Sequence, residues 1–508
     1  MSAAPDRLAS LRAAAPPAAP LIPRESLQAL LLLTALAFAT RIWVFGNPVI
    51  NIDEQFYLLV AERMLQGELP YADIWDRKPI GLFLIYGLAA RFFPDPVVGY
   101  QLLATLCVIA TAWLLFAAAR RFTGFGAALG GAAAYAAWLL VFGGIGGQSP
   151  VFYNLAMVAA AALTLSAISR PDTRRLTRTG CGVMLLAGIA LQIKYTAVFE
   201  GVYFGLTLLW AGRRRGRPLP RLAGDGALWI GCALAPTLAA AGVFWRLGHL
   251  DAFIQANFLS VAGDSNQLLP ALTRLGALAF GLLPFWICLW LARARWRSRD
   301  TGDLPGERWI LGWLAASFAG FAAFGVFFDH YVLPLLPPVC LAATLAFDSL
   351  VRRRLAIALV VGLGAAGGLA KASVDVAANG NRAQIARLAA LARPGPGKGC
   401  LYVNENYPAL YRLTGSCLPT RFAFPQHLAL ARYRHALGTD QLTELDKLLA
   451  SRPTAIVIAT SPDDDTSPAS RQRVLAALRG GYREAGSARV GDATYAVYRS
   501  VHPQPAPR

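Results

Sequence analysis

Two adjacent carboxylates, Asp53 and Glu54, stand shortly before a second charged cluster made of Asp73, Asp76, Arg77 and Lys78. These residue types suit group transfer from a phosphate. One carboxylate takes a proton from an incoming hydroxyl, and the cations hold the phosphate that leaves. Further along the chain, Lys194, Asp251, Asp264, Asp329 and His330 are candidates for the same pocket, with Gln148, Asn154, Tyr195 and Tyr331 as polar partners. Charge placed at membrane depth is costly and commonly marks function. Spacing alone also fits a plainer reading. In it Asp53 and Glu54 only cap and solvate a surface helix, and Lys194 snorkels to water from the end of a span.

The elements that must position these groups begin with residues 51–79. From Asn51 the pattern is helical, with Ile52, Phe56, Leu59, Val60 and Met64 on one face. Gly67 and Pro70 end it, and Pro79 leads into a second apolar run at 80–93. That run is short of the roughly 20 residues needed to cross a membrane. Both helices are therefore expected to lie at the membrane–water interface, moored by Tyr71, Trp75 and Tyr86.

Composition sets the wider frame. The chain is 56% hydrophobic and 15% charged, with long apolar runs from about residue 27 to 369. A polytopic helical membrane protein follows. The formal charge of +19 is not spread as a nucleic-acid-binding face. It gathers in short clusters between apolar runs, at 120–121, 170–178, 213–221, 293–299 and 352–354. Assigning those loops to the cytoplasm gives about eleven spans, with the N-terminus inside and the C-terminus outside. Residues 1–26, rich in Ala and Pro, read as a disordered cytoplasmic tail. The transmembrane domain is expected over 27–370, with its first outer loop at 46–96. Every candidate side chain then falls at the outer mouth of a helix.

After about Lys371 polar residues return, and short strand-like and helical stretches alternate. A small α/β domain over 371–508 is expected, on the outer side. It carries no glycine-rich nucleotide fingerprint. Its two cysteines, Cys400 and Cys417, are placed where oxidising machinery acts and are expected to pair. No CxxC or His pairing suggests structural zinc.

Taken together, the Asp-Glu pair after the first span, the helix ending at Gly67-Glu68, and Asp76-Arg77-Lys78-Pro79-Ile80 resemble the GT-C glycosyltransferases. The likeness is greatest to the protein O-mannosyltransferase and aminoarabinose-transferase branch (the family 39/83 type). The run from Tyr331, YVLPLLPP, and the placing of Lys194 fit the same pattern over about residues 27–350. The resemblance implies transfer from a polyprenyl-phosphate sugar to a lipid, polysaccharide or protein acceptor, at the outer face of a bacterial inner membrane. It makes Asp53 the base and Glu54 its neighbour positioning the acceptor. Lys78 would hold the donor phosphate, with Asp76, Arg77, Asn154, Lys194, His330 and Tyr331 as further binding residues. Arg77 is an insertion relative to the family pattern, and Asn154 or Gln148 stands where relatives carry a second Asp.

A single inverting displacement follows from this constellation, because a phosphate is already a good leaving group. A divalent ion on Asp53 and Glu54 is chemically feasible but not favoured, since the cations already present do its work. The rival is a transporter or flippase for a lipid-linked precursor. That class is expected to show two related halves and charge at the midplane, and neither is visible here. The discriminating observation is whether Asp53, Lys78, Lys194 and Tyr331 share one outward pocket.

Overall fold

The apolar runs fold as long helices, and small residues let several of them approach closely. The computed structural model describes residues 24–169, 175–260, 268–298, 305–323, 325–394 and 399–501. The expected tail, apart from residues 24–26, and Asp264 lie outside the described residues.

The first helix, α1 (Arg24–Arg41), leads through a short 3-10 turn to α2 (Ile52–Leu65) and α3 (Ile80–Phe92). There follow α4 (Pro96–Ala119), α5 (Phe125–Val141), α6 (Ser149–Ile168), α7 (Leu176–Leu191), α8 (Ala197–Arg214) and α9 (Leu219–Arg246). A short α10 (Leu250–Ile254) precedes α11 (Leu268–Gly281), α12 (Leu283–Ser298), α13 (Pro305–Ala322), α14 (Leu336–Ser349) and α15 (Arg353–Asn379). The Ala- and Gly-rich α5 takes α14 and α15 against it.

The expected spans fall on helices, that over 271–292 on two of them. Among the described residues, six are long and apolar enough to cross a membrane by length and composition, or seven if the bent pair α11–α12 counts as one. That pair turns by 54° near Leu282, which no periodicity in the sequence signals. The helices α3, α5 and α7 are apolar but shorter. α15 continues past Lys371 to Asn379, so the change in composition falls inside a helix.

The C-terminal domain starts with α16 (Arg382–Ala392), capped by Asn381 and Gln384 in a reciprocal box. Its sheet holds β1 (Leu401–Val403), β2 (Ala455–Ala459), β3 (Tyr482–Val490) and β4 (Ala493–Ser500), in the order β1-β2-β4-β3. β1 runs parallel to β2, and the other pairs are antiparallel. β2 and β4 are its central strands, and β1, at the edge, is wholly buried like β2. The helices between these strands are α17 (Ala409–Thr414), α18 (Gln426–Ala429), α19 (Gln441–Ala450) and α20 (Pro468–Gly481). Cys400 and Cys417 are joined by a disulfide, their Cα atoms 4.9 Å apart.

The C-terminal domain sits on α2, and here the structure departs from the interfacial expectation. Residues Glu54 to Ala61 are buried all round the helix. The Phe56 ring lies 5.0 Å from Phe424, Gln55 accepts from the Ala409 amide, and Arg63 donates to the Ser416 carbonyl. Tyr71, Trp75 and Tyr86 are core residues and not membrane moorings. Trp75 donates from its backbone to the Arg421 carbonyl and from its ring nitrogen to Gln255. An amphipathic pattern reports one apolar face only. It cannot show that a distant domain covers the other.

Candidate active site

The loop before α2 is fixed from several directions. Gln101 accepts from the Gly46 amide at 2.7 Å, Asn47 donates to the Gly380 carbonyl, and Asn379 donates to the Ile50 carbonyl. Asn51 then caps α2 by accepting from the Asp53 amide at 2.9 Å. This sets Asp53 in the first turn, where the helix dipole favours a carboxylate.

Glu54 points the other way, wholly buried, towards the 143–148 loop. A Cβ at Gly146 would overlap its carboxyl, and one at Gly147 would overlap the Tyr86 hydroxyl. Only glycines admit the chain here. Burial pushes the Glu54 carboxyl up to about 7, with Asp53 adding to the shift, while the Gly147 and Gln148 amides and the Tyr100 hydroxyl oppose it. Asp53 is shifted in the opposite direction. Its burial alone would raise it, but Lys78, His330, the Gln148 amide and Lys194 together hold it below the usual carboxylate range. Two neighbouring acids with opposed environments have divergent roles, one ionised and one able to keep its proton near neutral pH.

The second cluster is placed by the turn from Leu69 to Pro79. Tyr71 adopts a positive φ of 72° and donates to the Lys78 carbonyl at 2.9 Å. Asp76 accepts from the Arg77 amide at 2.5 Å, and burial raises its pKa against the pull of Lys78. Gly81 lets α3 begin directly against the turn between α7 and α8, since a Cβ there would lie 2.6 Å from the Gln192 carbonyl oxygen. That close approach brings Lys194 beside Lys78. The Lys194 ammonium rests over the Tyr331 ring, 4.1 Å from its centroid.

Asp53, Lys78, His330 and Tyr331 line one cavity of about 640 Å³, together with Arg77, Asn51 and Gln148. Lys194 borders a smaller space on the far side of Tyr331 and Pro334. Asp76 is buried beneath the cluster and Glu54 behind Asp53; neither lines the large cavity. Asn154 is not in it either. Its amide donates to the Leu333 carbonyl at 3.0 Å and to the Tyr135 hydroxyl, so it fastens α6 to the segment before α14.

Several cavity residues carried no signal in the sequence. Arg274 of α11 lies 4.5 Å from the Phe328 ring centroid. The C-terminal domain supplies Gln426, Arg432, Tyr433 and the Asp463–Asp465 run. Arg432 pairs with Asp465 at 3.2 Å, and Arg77 reaches across to the Tyr433 ring at 5.4 Å. Beneath them His427 is buried against Trp75 and Tyr433, and burial, with Arg77 and Lys78 nearby, keeps its imidazole neutral. Among the described residues, no three His, Cys, Asp or Glu side chains gather closely enough to hold a metal ion.

Residues 77–236 match the family model described as dolichyl-phosphate-mannose-protein mannosyltransferase. The fold matches the crystal structure of ArnT from Cupriavidus metallidurans bound to undecaprenyl phosphate, with a TM-score of 0.63 and 14% identity over 93% of this chain and 97% of that one. This is a helical multi-span membrane protein with the fold of that ArnT. The apo form of the same ArnT matches with a TM-score of 0.60 and 15% identity, over 93% of this chain and 98% of that one. The Archaeoglobus fulgidus oligosaccharyltransferase, in complex with Zn and sulfate, matches with 0.51 and 12%, over 84% and 67% respectively. No curated protein matches the chain significantly. The expectation drawn from the paired motifs, a membrane glycosyltransferase using a polyprenyl-phosphate-linked sugar, agrees with the description of the family model matched over residues 77–236. Lys78, Asn154 and Lys194 fall within the matched region, whereas Asp53, Glu54 and Asp76 precede it.

Proposed function

We propose that the chain transfers a sugar from a polyprenyl phosphate to an acceptor hydroxyl or similar group, in one inverting displacement at the outer face of a bacterial inner membrane. The observation that carries this reading is the shared cavity, in which an ionised carboxylate, Asp53, and a cation, Lys78, meet with His330 and Tyr331. The undecaprenyl phosphate bound by ArnT supports the same class of carrier here.

In the reaction Asp53 takes the acceptor proton as the acceptor oxygen attacks the anomeric carbon. The bond from that carbon to the phosphate oxygen breaks, and its electron pair leaves on the phosphate. Lys78 and Arg77 meet the charge that develops there. Lys194, seated on Tyr331, stands behind the cavity wall; burial, with Lys78 nearby, pushes its ammonium down to about 7, so it adds positive potential only while protonated. Glu54 lies too deep to touch the acceptor. It shapes the 143–148 loop, from which Gln148 reaches Asp53 at 3.2 Å. The C-terminal domain supplies one wall of the cavity through Gln426, Arg432, Tyr433 and Asp463–Asp465. Its Arg432 and Asp463–Asp465 present charges of both signs to the acceptor.

The test is to incubate the purified protein with a panel of radiolabelled polyprenyl-phosphate sugars and to follow release of free polyprenyl phosphate. Release that requires an added acceptor is expected. Donors that all stay intact with a full range of lipid, saccharide and peptide acceptors would contradict the reading.

A further inference from the structure

Once Asp53 has taken a proton, it must lose that proton before the next turnover. His330 and Asn51 line the main cavity and also a second one of about 70 Å³. Asp329, Lys371, Asp375 and Asn379 wall this side cavity, and none of them takes part in the transfer step described above. The side chains form a ladder. The His330 Nδ1 is 3.5 Å from the Asp329 Oδ1, the Asp329 Oδ2 is 3.8 Å from the Lys371 Nζ, and Lys371 meets Asp375 at 2.5 Å. Side-chain exposure is 16% at His330, 43% at Asp329, 35% at Lys371 and 20% at Asp375, so the ladder meets solvent at Asp329, next to His330. The imidazole is held between Phe328, which stacks on it, and Tyr331, which meets it edge-on. The charged groups acting on it are Asp329 beside it, Asp53 from α2, and Lys194 from the α7–α8 turn.

We propose that His330, held by Asp329, carries the proton of each turnover out of the site through the side cavity. The inference rests on the reading of Asp53 as the base. In the transfer step the acceptor proton goes to Asp53. Asp53 then gives it to neutral His330, directly or over one water, and is a carboxylate again. The imidazolium, facing the Asp329 carboxylate, releases the proton to water in the side cavity. One proton leaves the acceptor and one reaches solvent, so the cycle closes with no co-reactant. Asp329 is a positioning residue for His330; the imidazole and Lys371 keep Asp329 anionic, and Asp375 holds Lys371 in place.

The test compares a single turnover, with enzyme in excess, against the steady state, using the full-length protein and the labelled donor that releases polyprenyl phosphate in the panel above. Asp329→Asn, whose side chain lies outside the main cavity, is expected to keep the first turnover within about threefold while the steady-state rate falls about tenfold. Its steady-state pH profile should move while that of the first turnover does not. His330→Gln should lower the steady-state rate at least as much, and added imidazole should restore part of it. The proposal is overturned if Asp329→Asn slows both phases equally or leaves both unchanged, or if imidazole does nothing for His330→Gln. Asp53→Asn serves as the control. If it leaves the first turnover intact, the base assignment itself fails, whatever the other variants do.

Discussion

The side-chain amide of Gln148 donates to the Asp53 Oδ2 at 3.2 Å and to the Asn51 Oδ1 at 3.0 Å. One oxygen of the proposed base is thereby anchored to Gln148 at the start of α6. The arrangement joins two distant stretches of chain, the start of α2 and the start of α6, at one carboxylate. It also explains why Asp53 stays ionised despite its burial: the cations and this amide outweigh the cost of desolvation.

Removing that anchor tests it. A hydrogen bond to a charged group is worth about 1.5–3 kcal/mol, so Gln148→Leu should lower kcat roughly tenfold to a hundredfold. Donor affinity should change far less. Steady-state kinetics against donor concentration decide the matter, and a loss confined to donor KM would contradict the anchoring role.

Lys78 lines the cavity beside Asp53 and leans over the Tyr57 ring at 5.6 Å. Lys78→Ala should weaken donor binding tenfold or more, on the order of 1.4 kcal/mol, with little effect on acceptor KM. Lys78→Arg should recover part of this, because charge returns but the fork geometry differs. Equilibrium binding of labelled donor provides the measurement. Unchanged affinity in the alanine variant excludes the contact.

Glu54 makes a prediction about stability and pH. Its carboxyl is raised from an ordinary 4.5 to about 7 in the fold. The folded chain therefore binds this proton more tightly than the unfolded chain. The stabilisation is fully present below about pH 4.5 and is lost as pH rises towards 7, by at most about 3 kcal/mol. Glu54→Gln keeps the shape and removes the titration. Between pH 5 and 8 its Tm should fall less steeply than that of the wild type. Parallel curves would show that Glu54 does not hold a proton in the fold.

Much of the site was legible in the sequence because it is local. Asp53 with Glu54, and Asp76 to Pro79, sit at helix starts that Asn51 and Pro79 announce. Tyr331 and His330 stand at the head of a recognisable Pro-rich run. What escaped depends on contacts between distant stretches. Arg432, Tyr433 and Asp463–Asp465 reach the cavity only because the C-terminal domain sits on α2. Arg274 is a single charge in an apolar run, and the bend near Leu282 leaves no mark in the sequence. Asn154 is expected among the binding residues, yet its amide is engaged by Tyr135 and Leu333.

The disulfide between Cys400 and Cys417 has a stability consequence. It closes a separation of 17 residues around α17, which packs on α2. The chain-entropy model assigns such a loop about 3 kcal/mol. Replacing both cysteines with Ser should lower the unfolding temperature of the C-terminal domain and speed its proteolysis, as reductant should for the wild type. Equal proteolysis rates with and without reductant would contradict a stabilising bridge.

The central claim is that Asp53 is the base of a glycosyl transfer from a lipid-linked phosphate donor. Asp53→Asn preserves size and the hydrogen bond to Gln148 while removing the negative charge. The most direct measurement is the first-turnover rate of polyprenyl phosphate release by this variant, alongside its affinity for the labelled donor. The account predicts a rate lower by about 10²–10⁴-fold with donor affinity kept within a few-fold. A first-turnover rate within a few-fold of the wild type, in a variant that still binds donor, would contradict it.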